Sequence, residues 1–294
     1  MGERFFRSGY NVLIPRLPGH GHAGNWNRKN PPPLPTDAAV YQQFGLEWLK
    51  QAQRLSNRAA SPEENRVIVS GLSGGGALTA WLALQQPQAI DRALLFAAYL
   101  SSSSKLVDLV VRSSDRYFEW TQDGSGTPCV RGYKGFAFPA LRALLDLGRD
   151  VLHRAKQHPP SPPMFILSSE SDIAVSSADH KALSEDLLPH QPVTWYHRFS
   201  RALDIPHTMM TQAEGNPWAG VLNSMAKAFV ESNLTWAEVE EIGYRMTDGK
   251  TFNTVVAELG LQQNVSPDMP AMMTMVDKRS IVEARNPNYS ASGF

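Results

Sequence analysis

Short apolar runs alternate with amphipathic stretches along the first 233 residues of the chain. Five runs are apolar on both faces and bounded by polar residues or proline, as is typical of strands buried in a parallel sheet. These runs are 10–15, 66–71, 92–99, 164–169 and 193–198. Helical spacing of apolar residues occurs at 40–56, 77–86, 178–188 and 217–233. The alternation predicts an α/β protein: a three-layer α/β/α sandwich whose mostly parallel sheet is covered on both faces.

Two segments interrupt this alternation. Residues 24–35 are rich in asparagine and proline and predict a stiff, irregular loop. Residues 101–163 are far longer than a simple crossover and contain a helix candidate at 139–156. We expect 101–163 to be a helical insertion. The helix at 139–156 could form a cap over the strand ends or complete the core, and its apolar spacing fits both.

The last part of the chain, residues 234–294, is expected to be a helical extension of an α/β domain at 1–233. Thr235 and Glu238 form a capping-box pattern, which predicts a helix that runs toward Met246. A second short helix is expected at 251–259. The sequence then becomes rich in proline, methionine and asparagine, and 286–294 is expected to be disordered.

Composition narrows the functional classes. The 294 residues include 28 basic and 28 acidic side chains, so the formal net charge is zero and neither a nucleic-acid partner nor an anionic membrane surface is indicated. Cys129 is the only cysteine and cannot form an intrachain disulfide. No apolar run approaches the ~20 residues of a membrane span, and the start resembles no signal peptide. We expect a cytoplasmic protein if Met1 is the native start; the sequence carries no signal for an oligomeric state.

The strongest chemical motif is GLSGG at 71–75, where an apolar run ends and a helical pattern begins. This is the context of a nucleophile elbow, with Ser73 at its tip. Gly71 and Gly75 stand where a Cβ is expected to collide with the adjoining strand or helix. A phosphate-binding loop or a plain turn are alternatives. The absence of G-x-G-x-x-G or a Gly-Lys-Ser/Thr ending favours the elbow.

A serine nucleophile needs a histidine to take its proton and an acid to orient that histidine. Asp172 follows the run at 164–169, and His207 follows the last predicted strand. Ser73, Asp172 and His207 would then lie on loops at one sheet edge, where open α/β sheets hold their sites. Glu170 is a second candidate for the acid.

The other histidines are weaker candidates. His197 lies inside a predicted strand and is expected to be structural, and His180 and His190 flank a predicted helix. His20 and His22 form a His-x-His pattern that could suggest a metal. A four-coordinate site needs further ligands that no nearby cysteine or carboxylate cluster supplies, so we expect no metal and no other cofactor.

Several of these segments resemble the α/β-hydrolase family. GYNVLIPRLPGHG at 9–21 resembles the strand and loop after the family's first helix, and GLSGG at 71–75 resembles its elbow. Asp172 and His207 match the remaining triad positions. YKGF at 133–136 and the helix after it resemble the cap of the carboxylesterase and monoacylglycerol-lipase branch. The resemblance covers roughly residues 5 to 232.

The resemblance implies a serine hydrolase that cleaves short- or medium-chain acyl esters or monoacylglycerols through an acyl-enzyme. His207 would deprotonate Ser73, and Asp172 would hold the tautomer of His207. The family pattern favours Asp172 over Glu170 as the acid. The backbone N–H of Gly74 would be one oxyanion donor. The implied partner is a small-molecule ester, although amidases, thioesterases and peptidases share the triad.

The family normally begins with an antiparallel strand pair and a strand that ends in a His-Gly loop, the source of the other oxyanion N–H. The sequence starts after these elements, so we expect an N-terminally incomplete fold in which the runs 10–15 and 66–71 pair directly or leave buried backbone groups unpaired. A start that lacks about 40 to 60 residues is favoured over a natural remnant or a rearranged sheet. We expect weak ester hydrolysis by this chain. The alternative function is a non-catalytic or weakly active hydrolase-fold module that binds a ligand or protein, with 234–294 as an interaction segment.

Overall fold

The computed structural model describes residues 1–57, 65–119 and 133–286. The strands in these ranges are β1 (Ile68–Leu72), β2 (Arg92–Phe96), β3 (Tyr117–Glu119), β4 (Gly135–Ala137), β5 (Met164–Ser169) and β6 (Trp195–Phe199). The helices are α1 (Gly2–Arg7), α2 (Ala38–Ser56), α3 (Gly74–Gln85), α4 (Lys105–Ser113), α5 (Phe138–Ala155), α6 (Ser177–Leu187), α7 (Ala219–Glu231), α8 (Trp236–Met246), α9 (Phe252–Glu258), α10 (Met269–Met275) and α11 (Lys278–Arg285).

The main sheet is parallel and has the strand order β1-β2-β5-β6. Its central strand β5 is buried at all six residues, which matches the continuous apolar run that predicted it. Alternate residues of β2 and β5 enter two separate cores. One core lies between the sheet and α2, α3, α5 and α6, and the other lies between the sheet and α7 to α11. The predicted α/β architecture with a mostly parallel sheet is therefore confirmed.

The prediction of a first strand at 10–15 is wrong. These residues lie in no strand, and no described strand pairs with them or with the outer edge of β1. Leu13 and Ile14 are exposed, and so is Ser70 within β1. The expected direct pairing with β1 does not form. Ser70 leaves part of the outer edge of β1 open to solvent, which can take the place of a strand partner.

The segment 101–163 contributes both surface and core. Its first described helix, α4, exposes Leu106 and Leu109, and β3 and β4 form a small antiparallel ribbon. Helix α5 packs against α3, and Gly148 approaches the loop after β2 so closely that a Cβ would lie 2.6 Å from the Cα of Leu100. Ala143, Leu147 and Val151 of this helix are buried in the core, so α5 contributes to it.

The C-terminal helices pack on the same core as the sheet. The capping box of Thr235 and Glu238 is formed as predicted at the start of α8. The methionine-rich stretch after Gly260, which predicted no helix, forms α10 and buries Met269 and Met272 near α7. Most of the predicted disordered tail lies outside the described residues, as does Cys129. In the described ranges, no helix combines the length and the apolar character that crossing a membrane requires.

Candidate active site

Ser73 occupies a sharp turn between β1 and α3. Its backbone dihedrals are φ 54° and ψ −119°, a conformation that costs a non-glycine residue about 1–3 kcal/mol. The segment after β2 holds this turn from both sides. The Ser73 N–H donates to the Phe96 carbonyl at 2.9 Å, and the Ser73 carbonyl accepts from the Tyr99 N–H at 2.9 Å. The strained serine is therefore fixed by tertiary hydrogen bonds, as a nucleophile elbow requires.

The two glycines of the motif are not equivalent, contrary to the expectation from the sequence. A Cβ on Gly71 would lie 2.1 Å from the carbonyl oxygen of Gly75, whereas a Cβ on Gly75 would meet nothing within 4 Å. The second crowded position is Gly76, where a Cβ would lie 2.9 Å from the Cα of Ala98. The turn needs glycine at 71 because the helix backbone returns against that residue. At 75 the side-chain direction points into open space.

Asp172 and His207 are in contact. The His207 Nδ1 lies 2.8 Å from Asp172 Oδ2, and the carboxylate is almost fully buried. Asp172 Oδ1 accepts the backbone N–H groups of Ala174 at 2.8 Å and Val175 at 3.3 Å. Because a carboxylate only accepts, Nδ1 carries a proton, and in the neutral ring the lone pair is on Nε2.

The structure places Ser73 at the same sheet edge as this pair, since all three residues follow the carboxyl ends of parallel strands. In the described part of the chain, no hydrogen bond joins the Ser73 hydroxyl to His207. Asp172 and His207 are thus in contact, and Ser73 stands on a separate loop at the same edge. Catalytic hydrogen bonds are often long before substrate binds, so this arrangement is compatible with a triad.

Glu170, the alternative acid, points elsewhere. Its carboxylate forms an ion pair with Arg198 at 2.9 Å and accepts the backbone N–H of Arg201 at 3.1 Å. These partners belong to β6 and the turn after it. Asp172, and not Glu170, is the carboxylate that contacts His207.

Two further histidines are buried but do not belong to the Asp172–His207 pair. His180 on α6 is 0% exposed, and its Nε2 lies 2.7 Å from the Ala98 carbonyl oxygen. Burial lowers the pKa of His180, so its ring is neutral at pH 7; the carboxylate of Asp172 acts in the opposite direction. His197 on β6 is buried against Phe199, and burial lowers its pKa to about 4. No pattern in the sequence indicates the contact of His180 with Ala98.

The remaining histidines make structural or surface contacts. His20 stacks on Tyr133, whose hydroxyl donates to the Gly19 carbonyl at 2.6 Å and accepts the His22 N–H at 3.0 Å. His190 is exposed. Within the described ranges, no group of three or more histidine, cysteine or acidic side chains has the arrangement of a metal site.

The first turn of α3 faces an apolar wall. Gly74 is the first residue of this helix, so its backbone N–H has no acceptor within the helix. A Cβ on Gly74 would lie 2.8 Å from Leu144 Cδ1 of α5. The free N–H groups beside Ser73 therefore lie close to an aliphatic side chain.

A strained serine at a strand-to-helix turn, with an Asp–His pair at the same edge of a parallel sheet, defines an α/β protein of the hydrolase class. The chain belongs to the α/β hydrolase family, whose model matches residues 3–252.

Solved structures share this fold at low sequence identity. A monoacylglycerol lipase from Paleococcus ferrophilus is 13% identical with a TM-score of 0.50, over 70% of this chain and 77% of that one. A soluble variant of monoglyceride lipase from Saccharomyces cerevisiae, in complex with a substrate analog, is 12% identical with a TM-score of 0.50, over 71% and 74%. Among curated proteins, none matches the chain.

Proposed function

We propose that this chain is a serine hydrolase that cleaves carboxylic esters, with Ser73 as the nucleophile, His207 as the base and Asp172 as the acid. The observation that carries the proposal is the Asp172–His207 contact at the sheet edge that also holds the strained Ser73. The proposed substrates are small esters, namely short- or medium-chain acyl esters or monoacylglycerols, and two lipases share the fold.

The reaction has two halves. In the first, Ser73 Oγ attacks the ester carbonyl carbon while its proton passes to His207 Nε2. The tetrahedral intermediate collapses, the C–O bond to the alcohol breaks, and His207 returns the proton to the leaving oxygen. In the second, water attacks the acyl-Ser73 carbonyl, His207 takes one proton from it, and Ser73 leaves with that proton as the carboxylic acid is released.

Asp172 contributes by orientation and charge. The carboxylate accepts a hydrogen bond from Nδ1 of His207, and this bond directs the lone pair of Nε2 toward the reacting oxygen. Its negative charge stabilises the imidazolium that forms during the reaction. The backbone N–H of Gly74, at the positive end of α3, is the proposed donor to the oxyanion.

A fluorophosphonate probe tests the proposal directly. We expect the probe to phosphonylate one residue, and mass spectrometry of a digest to place the adduct on Ser73. Heat-denatured protein is the control, because labelling that depends on the folded site disappears there. If the folded protein is not labelled, or the adduct lies on another serine, the proposed function is wrong and the non-catalytic module becomes the better hypothesis.

Replacing Asp172 by asparagine is expected to lower kcat by about 10⁴-fold with a much smaller effect on KM. The asparagine amide donates to Nδ1 and favours the tautomer in which Nε2 carries the proton, so His207 can no longer act as the base. The rate is measured with a p-nitrophenyl ester. Glu170→Gln is the matched control, because it removes a carboxylate two residues away that is bound to Arg198. A loss in Glu170→Gln equal to that in Asp172→Asn would contradict the assignment.

A further inference from the structure

His180 lies between the two loops that carry the proposed nucleophile and acid. It projects from α6, the helix that follows the acid loop, which we define as residues 170–176. The ring is fully buried, and its Nε2 lies 2.7 Å from the carbonyl oxygen of Ala98. Ala98 belongs to the segment 96–99, which starts at the last residue of β2 and is here called the nucleophile clamp because it bonds to both backbone groups of Ser73.

The nucleophile clamp fixes the elbow closely. Phe96 accepts the Ser73 N–H and Tyr99 donates to the Ser73 carbonyl, both at 2.9 Å. Ala98 lies between them and packs against Gly76 in the first turn of α3. Ala97 has a φ of 42°, so the clamp itself is strained and needs outside support. A shift of the Ala98 peptide would move the hydrogen bonds that set the position of Ser73.

The acid loop is joined to the residues just beyond the clamp. The N–H of Ser176 donates to the Ser101 carbonyl at 3.1 Å, and Ser103 donates to the Ala174 carbonyl at 3.2 Å. These bonds join 101–103 to 174–176 through the backbone, beside the β-bridge of Ser102 and Val175. His180 is the fully buried side chain that bonds from α6 to the clamp itself.

We propose that His180 is a positioning residue that holds the nucleophile clamp against the acid loop, and thereby sets the distance between Ser73 and His207. This inference rests on the proposed function. His180 touches no reacting atom, so it is not a catalytic residue. Its contribution is the hydrogen bond that its Nε2–H donates to the Ala98 carbonyl. If this donor is removed, the buried carbonyl loses that partner.

The geometry of the ring indicates which substitutions separate donation from packing. The Ala98 carbonyl can only accept, so Nε2 carries the proton of the neutral ring. Among the described residues, none bonds to His180 Nδ1. The one hydrogen bond of the side chain is therefore the one to the clamp. A glutamine at 180 can place an N–H near the position of Nε2, whereas a methionine has a similar length and shape but no donor.

The test compares His180→Gln with His180→Met. We expect His180→Met to lower kcat for a p-nitrophenyl ester, and the rate of fluorophosphonate labelling at Ser73, by about a hundredfold with little change in KM. We expect His180→Gln to recover most of that loss. His180→Asn, whose amide is too short to reach Ala98, should be as slow as His180→Met and supplies a polar variant if the methionine variant does not fold.

The control is His197→Met, because His197 is also buried but lies on β6 with its ring against Phe199. Rates are compared per mole of folded protein, from circular dichroism and a thermal melt of each variant. Wild-type rates in His180→Met or His180→Asn overturn the inference. So does a His180→Gln as slow as His180→Met, or a His197→Met with the same loss. Absence of Ser73 labelling in the wild type is a separate result, which rejects the proposed function itself.

Discussion

Replacement of Ser73 by alanine is expected to lower kcat for ester hydrolysis by about a millionfold and to abolish fluorophosphonate labelling. Alanine removes the attacking oxygen, so no acyl-enzyme can form. The residual rate would come from the backbone N–H of Gly74 and from substrate binding, which the substitution leaves in place. The fold should persist, because alanine can take the same strained φ of 54° and the clamp bonds are made by the backbone.

The measurement is the rate with a p-nitrophenyl ester together with gel-based detection of the labelled protein. Ser70→Ala is the matched control, since Ser70 lies three residues earlier on β1 and its side chain is exposed. We expect its rate and labelling to equal those of the wild type. A Ser73→Ala protein that still hydrolyses the ester at a substantial rate would mean that the nucleophile lies elsewhere.

The central strands could be predicted because a strand that is buried on both faces has apolar residues at consecutive positions. β5 is apolar at its first four positions and is enclosed by helices whose own apolar spacing is regular. The run at 10–15 also contains three consecutive aliphatic residues, at 12–14, and forms no strand. A strand exists only where a neighbour completes its hydrogen bonds, and this information is absent from the run itself. The error is therefore one of pairing, not of local preference.

The C-terminal helices α10 and α11 were missed for a related reason. Each is about two turns long and would be marginal alone, so its stability comes from tertiary packing. Met272 and Ile281 are buried in the core that also contains β6 and α7. The methionine- and proline-rich composition suggested irregular structure. Local composition does not show which surface of the domain these helices pack against.

The loops of the candidate site were easier to predict than the contacts between its side chains. Parallel strands bring their carboxyl ends to one edge, so the loops of Asp172 and His207 had to be neighbours. The choice between Asp172 and Glu170 depended on which carboxylate turns toward the imidazole, and Arg198 holds Glu170 away from it. The contact of His180 with Ala98 could not be inferred, because it joins a helix face to a loop 82 positions away.

Replacement of Gly71 by alanine is expected to destabilise the protein by more than about 4 kcal/mol and to leave little folded protein. The new Cβ would lie 2.1 Å from the carbonyl oxygen and 2.2 Å from the carbonyl carbon of Gly75. Both atoms belong to the backbone of α3, so no side-chain rotation relieves the clash. Relief requires α3 to move away from β1, which breaks the turn that presents Ser73. Urea unfolding and the yield of soluble protein measure the effect.

The same substitution at Gly75 should have the opposite sign, which makes the pair a sharp test of how the elbow is built. A Cβ at position 75 meets nothing within 4 Å, and alanine is favoured over glycine in a helix by up to about 1 kcal/mol. We therefore expect Gly75→Ala to be as stable as the wild type or slightly more so, with labelling of Ser73 retained. Equal destabilisation by both substitutions would mean that α3 approaches β1 differently. The placement of Ser73 at the sheet edge that carries Asp172 and His207 would then lose its basis.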